Sequence, residues 1–148
     1  MSVFATNRRA DFDYEFSETL EAGVELTGFE AKAVRKGLIN LSGSYALLRG
    51  GELWLINAAI APYQPNNAPP DFVTDRARRL LVRRDELKTL HGKLNEKGLT
   101  LVPKSVYSKN GFIKVSVGLG RKRKKYDKRE VAHERDAKRE IDQTLKKQ

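Results

Sequence analysis

Between Phe12 and Leu20 apolar and polar side chains alternate with a period of two. Phe12, Tyr14, Phe16 and Leu20 fall on one face, Asp13, Glu15, Ser17 and Thr19 on the other, and Glu18 alone breaks the pattern. A helix would scatter these residues around its axis, whereas an extended chain sorts them, so the stretch predicts a half-buried antiparallel strand. Further short runs repeat the signal at Ser44–Arg49, Leu53–Ile60, Arg79–Val82, Leu99–Tyr107 and Phe112–Leu119. Gly50-Gly51 and Asn110-Gly111 supply the φ > 0 positions that tight hairpins need. Pro103 lacks an N–H for a ladder and predicts an edge or bulge within its run.

Two helices interrupt this series. Thr27-Gly28-Phe29-Glu30 has the spacing of a capping box, and Gly37 is placed to end a helix of about two turns. A second helix is predicted from Asp85 to Lys97, with Leu87, Leu90 and Leu94 on one stripe and Gly98 as its cap. Pro62, Pro65, Pro69 and Pro70, with Asn66 and Asn67 among them, mark a surface loop. The expected fold is mainly β with short helices: a small six-stranded antiparallel β-barrel of oligonucleotide-binding type over residues 1–120, with two inserted helices.

Residues 121–148 form a separate basic C-terminal tail, carrying 12 Lys or Arg against 6 Asp or Glu, with four Val, Ile, Leu or Tyr and no Gly or Pro. Such a segment cannot bury enough apolar surface to offset its ordering entropy, so it is expected to be disordered until a partner supplies that surface. The run Arg121-Lys122-Arg123-Lys124-Lys125 repels itself unless phosphates neutralise it. The tail supplies +6 of the formal +10 net charge, which favours a folded nucleic-acid-binding body with a basic arm. A solvated tail that binds nothing is the plainer alternative.

Catalysis finds little support. The two histidines, His91 and His133, have no nucleophile or base matched to them in sequence. The chain has no Cys, no two His stand at ligand spacing, and no metal or cofactor is expected. The sequence lacks a signal-peptide-like start and any run of about 18 apolar residues, so a cytoplasmic protein with no membrane contact is expected.

Several short motifs occur in order: Asn7-Arg8-Arg9-Ala10, Glu21-Ala22-Gly23, Leu26-Thr27-Gly28-Phe29-Glu30-Ala31-Lys32, Arg35-Lys36-Gly37, Ile60-Ala61-Pro62-Tyr63, Leu99-Thr100-Leu101-Val102-Pro103 and Asp127-Lys128-Arg129. No single one is specific, but together, over nearly the full length, the chain resembles the SmpB family of SsrA-binding proteins. The resemblance implies a monomeric, non-enzymatic ribosome-rescue factor of bacterial trans-translation. Its barrel would grip the tRNA-like domain of transfer-messenger RNA, and its tail would enter a vacant decoding centre and mRNA channel. It implies the ribosome, through small-subunit rRNA, as second partner, and elongation factor Tu as a further one in the delivery complex.

Asn7, Arg8 and Arg9 are expected to meet phosphate and sugar of transfer-messenger RNA, because amide and guanidinium donors fit phosphate oxygens. Glu21 and Gly23 match the family's turn, where the carboxylate would accept from a base edge or ribose hydroxyl and Gly permits close approach. Glu30 is expected to act as a cap first and an RNA contact second. Lys32 and Arg35, three apart, would straddle a phosphate. Arg76, Arg78 and Arg79 belong to a second basic cluster with Arg83 and Arg84, of which about half should bind because alternation divides them between two faces. Tyr63 is the favoured stacking ring; Tyr45 is a weaker one, and Trp54 is expected in the core.

For the tail, the resemblance implies that Arg123, Lys124, Lys125, Tyr126, Asp127, Lys128 and Arg129 engage the decoding centre, Tyr126 by stacking. Beyond them Ala137, Ile141 and Leu145 recur every four residues, and Glu134 with Lys138 and Asp142 with Lys146 are favourable pairs. Each pair contributes only ~0.2–0.5 kcal/mol, so folding on binding is expected. The chain departs from the family at Asp71-Phe72-Val73-Thr74, at Ala59 and at Lys122, which leaves open which proline-loop side chains meet RNA. Two rival readings are a general single-strand or ribosomal RNA binder and a tail-driven protein whose barrel is only a scaffold.

Overall fold

The computed structural model of the chain describes residues 2–95 and 98–124. Strands β1 (Val3–Thr6), β2 (Tyr14–Val24), β3 (Ile39–Asn40), β4 (Tyr45–Arg49), β5 (Glu52–Ile56), β6 (Ala59–Ile60), β7 (Arg78–Leu81), β8 (Leu99–Lys109) and β9 (Phe112–Lys122) alternate with helices α1 (Ala10–Asp13), α2 (Gly28–Arg35) and α3 (Arg84–Leu94). Six strands close an antiparallel ring in the order β8-β4-β5-β7-β2-β9, with β9 pairing back onto β8. β1 is appended outside the ring, along β8, and β3 pairs with β6 in a separate two-stranded ribbon. The expected fold class is thus the observed one.

The ring closes around apolar side chains that alternation delivers to one face. Leu53, Leu55, Leu101, Val106, Val115, Val117 and Leu119 are essentially inaccessible, and Val34 of α2 and Ile60 of β6 complete the core. Each such side chain contributes about 1.5–3 kcal/mol by leaving water. The hairpin joining β8 to β9 turns at Asn110 and Gly111, whose φ values of 52° and 81° suit the Asn-Gly pair. The Thr27 side chain accepts from the Glu30 N–H at 3.2 Å while the Glu30 carboxylate accepts from the Thr27 N–H at 2.9 Å, so the predicted capping box starts α2.

Several boundaries differ from the sequence reading. Phe12 lies in the single turn of α1, and the strand begins at Tyr14. A bulge at Ser17 then shifts the register from Phe16↔Gly120 to Glu18↔Leu119. One extra residue on one strand exchanges its faces. Leu20 and Ala22 therefore stand opposite core residues Val117 and Val115, while Phe16 sits on the outer face beside Gly118 and Gly120. The break at Glu18 is where this exchange occurs. The long run Leu53–Ile60 is cut at Asn57, with φ 62°, into a ring strand and the β6 ribbon strand. Trp54 is half-buried on the outer face, opposite Arg79, rather than in the core. Pro103 is buried next to a bulge at Lys104, as expected for a proline inside a ladder. Helix α3 ends at Leu94 with Asn95 as its C-cap, short of the predicted end at Lys97 and cap at Gly98; Lys97 itself lies outside the described residues.

Phe16 explains the two glycines facing it. A Cβ on Gly118 would lie 2.5 Å from the Phe16 ring, and one on Gly120 would lie 2.3 Å from the backbone oxygen of Glu15. A ring can rotate, but the paired backbone of β2 cannot yield. Gly120→Ala is therefore expected to cost about 1–3 kcal/mol, read as a lower urea midpoint at unchanged slope; an unchanged midpoint would mean that the β2–β9 ladder is loose at this end.

Candidate nucleic-acid interface

The β2–β9 ladder runs from Tyr14↔Lys122 to Gly23↔Lys114. At roughly 3.3 Å per residue it is about 30 Å long, and the residues expected to bind RNA gather at its two ends.

At the Gly23 end, Glu21 projects from β2 toward β8. The Tyr107 hydroxyl donates to its Oε2 at 2.5 Å, and the Lys109 ammonium lies 3.4 Å from Oε1. The Tyr107 hydrogen bond, helped by Lys109 and Lys114, holds the Glu21 carboxyl below its ordinary range despite some desolvation. Desolvation and the adjacent carboxylate push the Tyr107 hydroxyl up to about 12. Glu21 is therefore a fixed anion at neutral pH among cations, able to accept from a ribose hydroxyl while the lysines face phosphates. Gly23 lies between β7 and β9, where a Cβ would stand 3.3 Å from that of Leu81.

Helix α2 extends this surface. Arg35 donates to the Gly111 carbonyl at 2.9 Å, which ties the helix to the tip of the β8–β9 hairpin beside Lys109. The ammonium groups of Lys32 and Lys36 lie 5.8 and 5.4 Å from the centre of the Tyr63 ring. That ring packs on Phe29 at 4.7 Å, and Phe29 in turn meets Phe72 edge-on at 5.3 Å. Tyr63, expected to stack on RNA, thus supports two cations rather than presenting an open ring. Phe112, 68% exposed at the hairpin tip, and Leu81, exposed opposite Gly23, are large apolar side chains this end offers to solvent.

The arginine cluster divides. Arg78 is completely buried, and its guanidinium donates to Glu30 Oε2 at 2.8 Å and to the carbonyls of Ala58, Arg76 and Thr74. Glu30, 1% exposed, also accepts from Arg76. Glu30 was expected to cap α2 first and to contact RNA second, and Arg78 to belong to a cluster of which about half should bind. They form an internal ion pair instead, because β7 alternation turns Arg78 and Leu80 inward beneath the first turn of α2. Arg76 remains 37% exposed over this pair. Arg79 faces outward, but Glu25 and Glu52 already hold it at 3.0 Å each.

At the Tyr14 end, Asn7 is pinned to β8: its N–H donates to the Lys104 carbonyl at 2.8 Å and its side-chain amide to the Pro103 carbonyl at 3.0 Å. Arg8 is exposed. Arg9, 70% exposed, lies 5.1 Å from the centre of the Phe12 ring and 3.6 Å from Asp13. The Arg123 N–H donates to the Asp13 carbonyl, and its guanidinium to that of Asp11. Strand β9 runs two residues into the segment read as tail, so the tail root is fixed at Arg123 beside Asp11 and Asp13. Lys125, Tyr126, Asp127, Lys128, Arg129, Ala137, Ile141 and Leu145 lie outside the described residues.

The structure thus joins Glu21, Lys32 and Arg35 at one end through Lys109 and Gly111, and Asn7, Arg8 and Arg9 with the tail root at the other. Sequence reading assigned no role at the site to Lys36, Tyr107, Lys109 and Lys114. The two-residue spacing of Tyr107 and Lys109 was visible, but only the register Tyr107↔Lys114 and Glu21↔Ser116 brings them to Glu21. Among the described residues no group of three or more His, Asp or Glu is placed to hold a metal, and no helix is long and apolar enough to cross a membrane.

A sequence profile of the SmpB protein family matches residues 4–147. The SsrA-binding protein of Trichormus variabilis is 46% identical over 144 residues, covering 97% of this chain and 93% of the relative. That of Chlorobaculum tepidum is 47% identical over 142 residues, covering 95% and 90%. A chain in the solved structure described as "tmRNA-SmpB: a journey to the center of the bacterial ribosome" is 41% identical, covers 89% of this chain and 95% of that one, and superposes with a TM-score of 0.68.

Proposed function

The chain belongs to the SmpB protein family, and from that membership we propose that it is a non-enzymatic ribosome-rescue factor: it binds the tRNA-like domain of transfer-messenger RNA, delivers it to stalled ribosomes, and places its C-terminal tail in the vacant decoding centre and mRNA channel. The observation that carries this reading is the division of cationic groups between two ends of one ladder about 30 Å long. A protein that bridges two RNAs needs two separated surfaces. The Glu21 end suits a structured RNA: its fixed carboxylate and flanking lysines accept hydroxyls and neutralise phosphates without reading bases in duplex. The Arg9 end, from which the tail departs, then faces small-subunit rRNA. Glu21, Gly23, Lys32, Arg35 and Arg76 are assigned to transfer-messenger RNA, with Tyr63 as support for Lys32. Lys124 to Arg129 are assigned to the decoding centre.

The test is binding of the purified full chain to transfer-messenger RNA and to elongator tRNA at physiological salt. A preference for the former of about a hundredfold, equivalent to ~2.7 kcal/mol, is expected. Equal binding overturns the assignment and leaves a general RNA-binding barrel, whose affinity would fall steeply with salt through counterion release.

A further inference from the structure

Beside the tail root the N-terminal arm and the turn before β4 enclose a cavity of about 530 Å³, lined among others by Asn7, Arg9, Asp13, Tyr14, Ser42 and Tyr45. Asn7 and Arg9 on its wall belong to the end assigned above to small-subunit rRNA, but that reading gives the cavity itself no occupant. Its walls are set by the fold. Asn7 is held by two hydrogen bonds to β8. Tyr14 stacks on Phe16 with centroids 6.0 Å apart. The turn from Leu41 to Ser44 is braced by the Asn40 side chain accepting from the Ser42 N–H, by two bonds from Ser44 to the Leu41 carbonyl, and by Gly43 at φ 75°. Tyr45 is paired in register with Ile56, yet its ring is left 40% exposed at the cavity.

We propose that this cavity is a binding site for a single unpaired nucleotide, its base against the Tyr14 and Tyr45 rings and its phosphate at Arg9. The volume lies within the range of small-molecule sites, and aromatic walls with a few fixed polar groups are the usual composition of such a site. The Asn7 and Ser42 side chains supply acceptors for base N–H groups, and Arg9, 70% exposed, supplies a donor fork that matches phosphate. The base must be unpaired, because a base in an A-form duplex cannot stack on a side chain. Arg8 adjoins two lining residues in sequence and Arg123 bonds the backbone of a third, Asp13, and this added positive charge draws the backbone of an RNA rather than a free neutral ligand. The proposal rests on the reading of the protein as an RNA binder and leaves two sources for the nucleotide: transfer-messenger RNA and small-subunit rRNA.

Full-length Tyr45→Ala and Tyr45→Phe are compared with the parent chain in two arms, binding to a transcript of the tRNA-like domain and binding to vacant small ribosomal subunits. Because base–aromatic stacking is commonly worth ~1–3 kcal/mol, Tyr45→Ala is expected to weaken one arm by roughly ten- to a hundredfold, with the Phe variant retaining binding there and the melting temperature unchanged. The affected arm identifies the source. A p-benzoylphenylalanine at position 45 should crosslink to one unpaired nucleotide of that RNA. Parental binding by Tyr45→Ala in both arms, or a crosslink confined to duplex, overturns the site. If the parent prefers transfer-messenger RNA while Tyr45→Ala binds as the parent does, the pocket alone fails; if the parent shows no preference, it is the rescue function that fails.

Discussion

Glu30→Ala should cost about 3–5 kcal/mol of folding stability, the usual consequence of removing one partner from a buried ion pair. The Arg78 guanidinium has no exposed surface and Glu30 is its main counter-charge, Asp75 adding a smaller attraction, while its other hydrogen-bond partners are the carbonyls of Ala58, Arg76 and Thr74. Without Glu30, it would be a cation with little compensation in a medium that solvates it poorly. The same substitution removes half of the capping box and frees Arg76. Against a typical total of ~5–15 kcal/mol the ring would become marginal, measurable as a large drop in urea midpoint. The double variant Glu30→Leu with Arg78→Met should lose less than Glu30→Ala does, because an apolar pair leaves no buried charge behind. A loss below about 1 kcal/mol for the single variant would show that water reaches Arg78.

The same site predicts an acid limb. Burial alone would raise the Glu30 carboxyl, but hydrogen bonds from Arg76, the Thr27 N–H and Arg78 together outweigh it and hold the group below its ordinary 4.5. A depressed folded-state value contributes stability that is fully present above the unfolded value and is lost as pH falls through the folded one. Stability should therefore decline below about pH 4.5, and Glu30→Gln should flatten that decline while lowering stability at neutral pH.

Removal of residues 125–148 should abolish tagging at stalled ribosomes while changing transfer-messenger RNA binding by no more than about twofold, as expected of sites well beyond ~10 Å apart. The deleted segment carries 8 Lys or Arg against 6 Asp or Glu, so its loss barely alters the general attraction to phosphate. The cut belongs after Lys124, not before Arg121. Arg121 pairs with Glu15 and Leu99, Lys122 pairs with Tyr14, and Arg123 bonds the backbone of Asp11 and Asp13. Truncation at 120 would open the ladder at the end where Arg9 sits, and a loss of RNA binding would then report damage to the barrel. If the cut after Lys124 keeps tagging intact, the tail is not the decoding-centre element. If it removes transfer-messenger RNA binding, the arm rather than the barrel carries affinity.

Local chemistry made much of the fold legible before any coordinates. The capping box at Thr27 and Glu30, the Asn110-Gly111 turn and the leucine stripe of α3 act over a few residues, so short windows report them faithfully. β1 and α1 escaped notice because Val3–Thr6 is a strand only through its pairing with β8. The alternation from Phe12 suggested one face; the bulge at Ser17 made it two, because register belongs to the pair of strands and not to either alone.

Charge distribution was enough to suggest a nucleic-acid-binding body with a basic arm, alternation a small barrel, and the short motifs in their order the family to which the chain belongs. What only the tertiary structure decided is which charges face outward. Arg78 reads in sequence as one more cation of a basic run, and Glu30 as an exposed cap, yet 48 residues apart they meet inside the protein. A charge is driven to the surface by its hydration unless a counter-charge and enough hydrogen bonds replace that water, and those partners are set by the register of β7 beneath α2, which no short window of sequence contains.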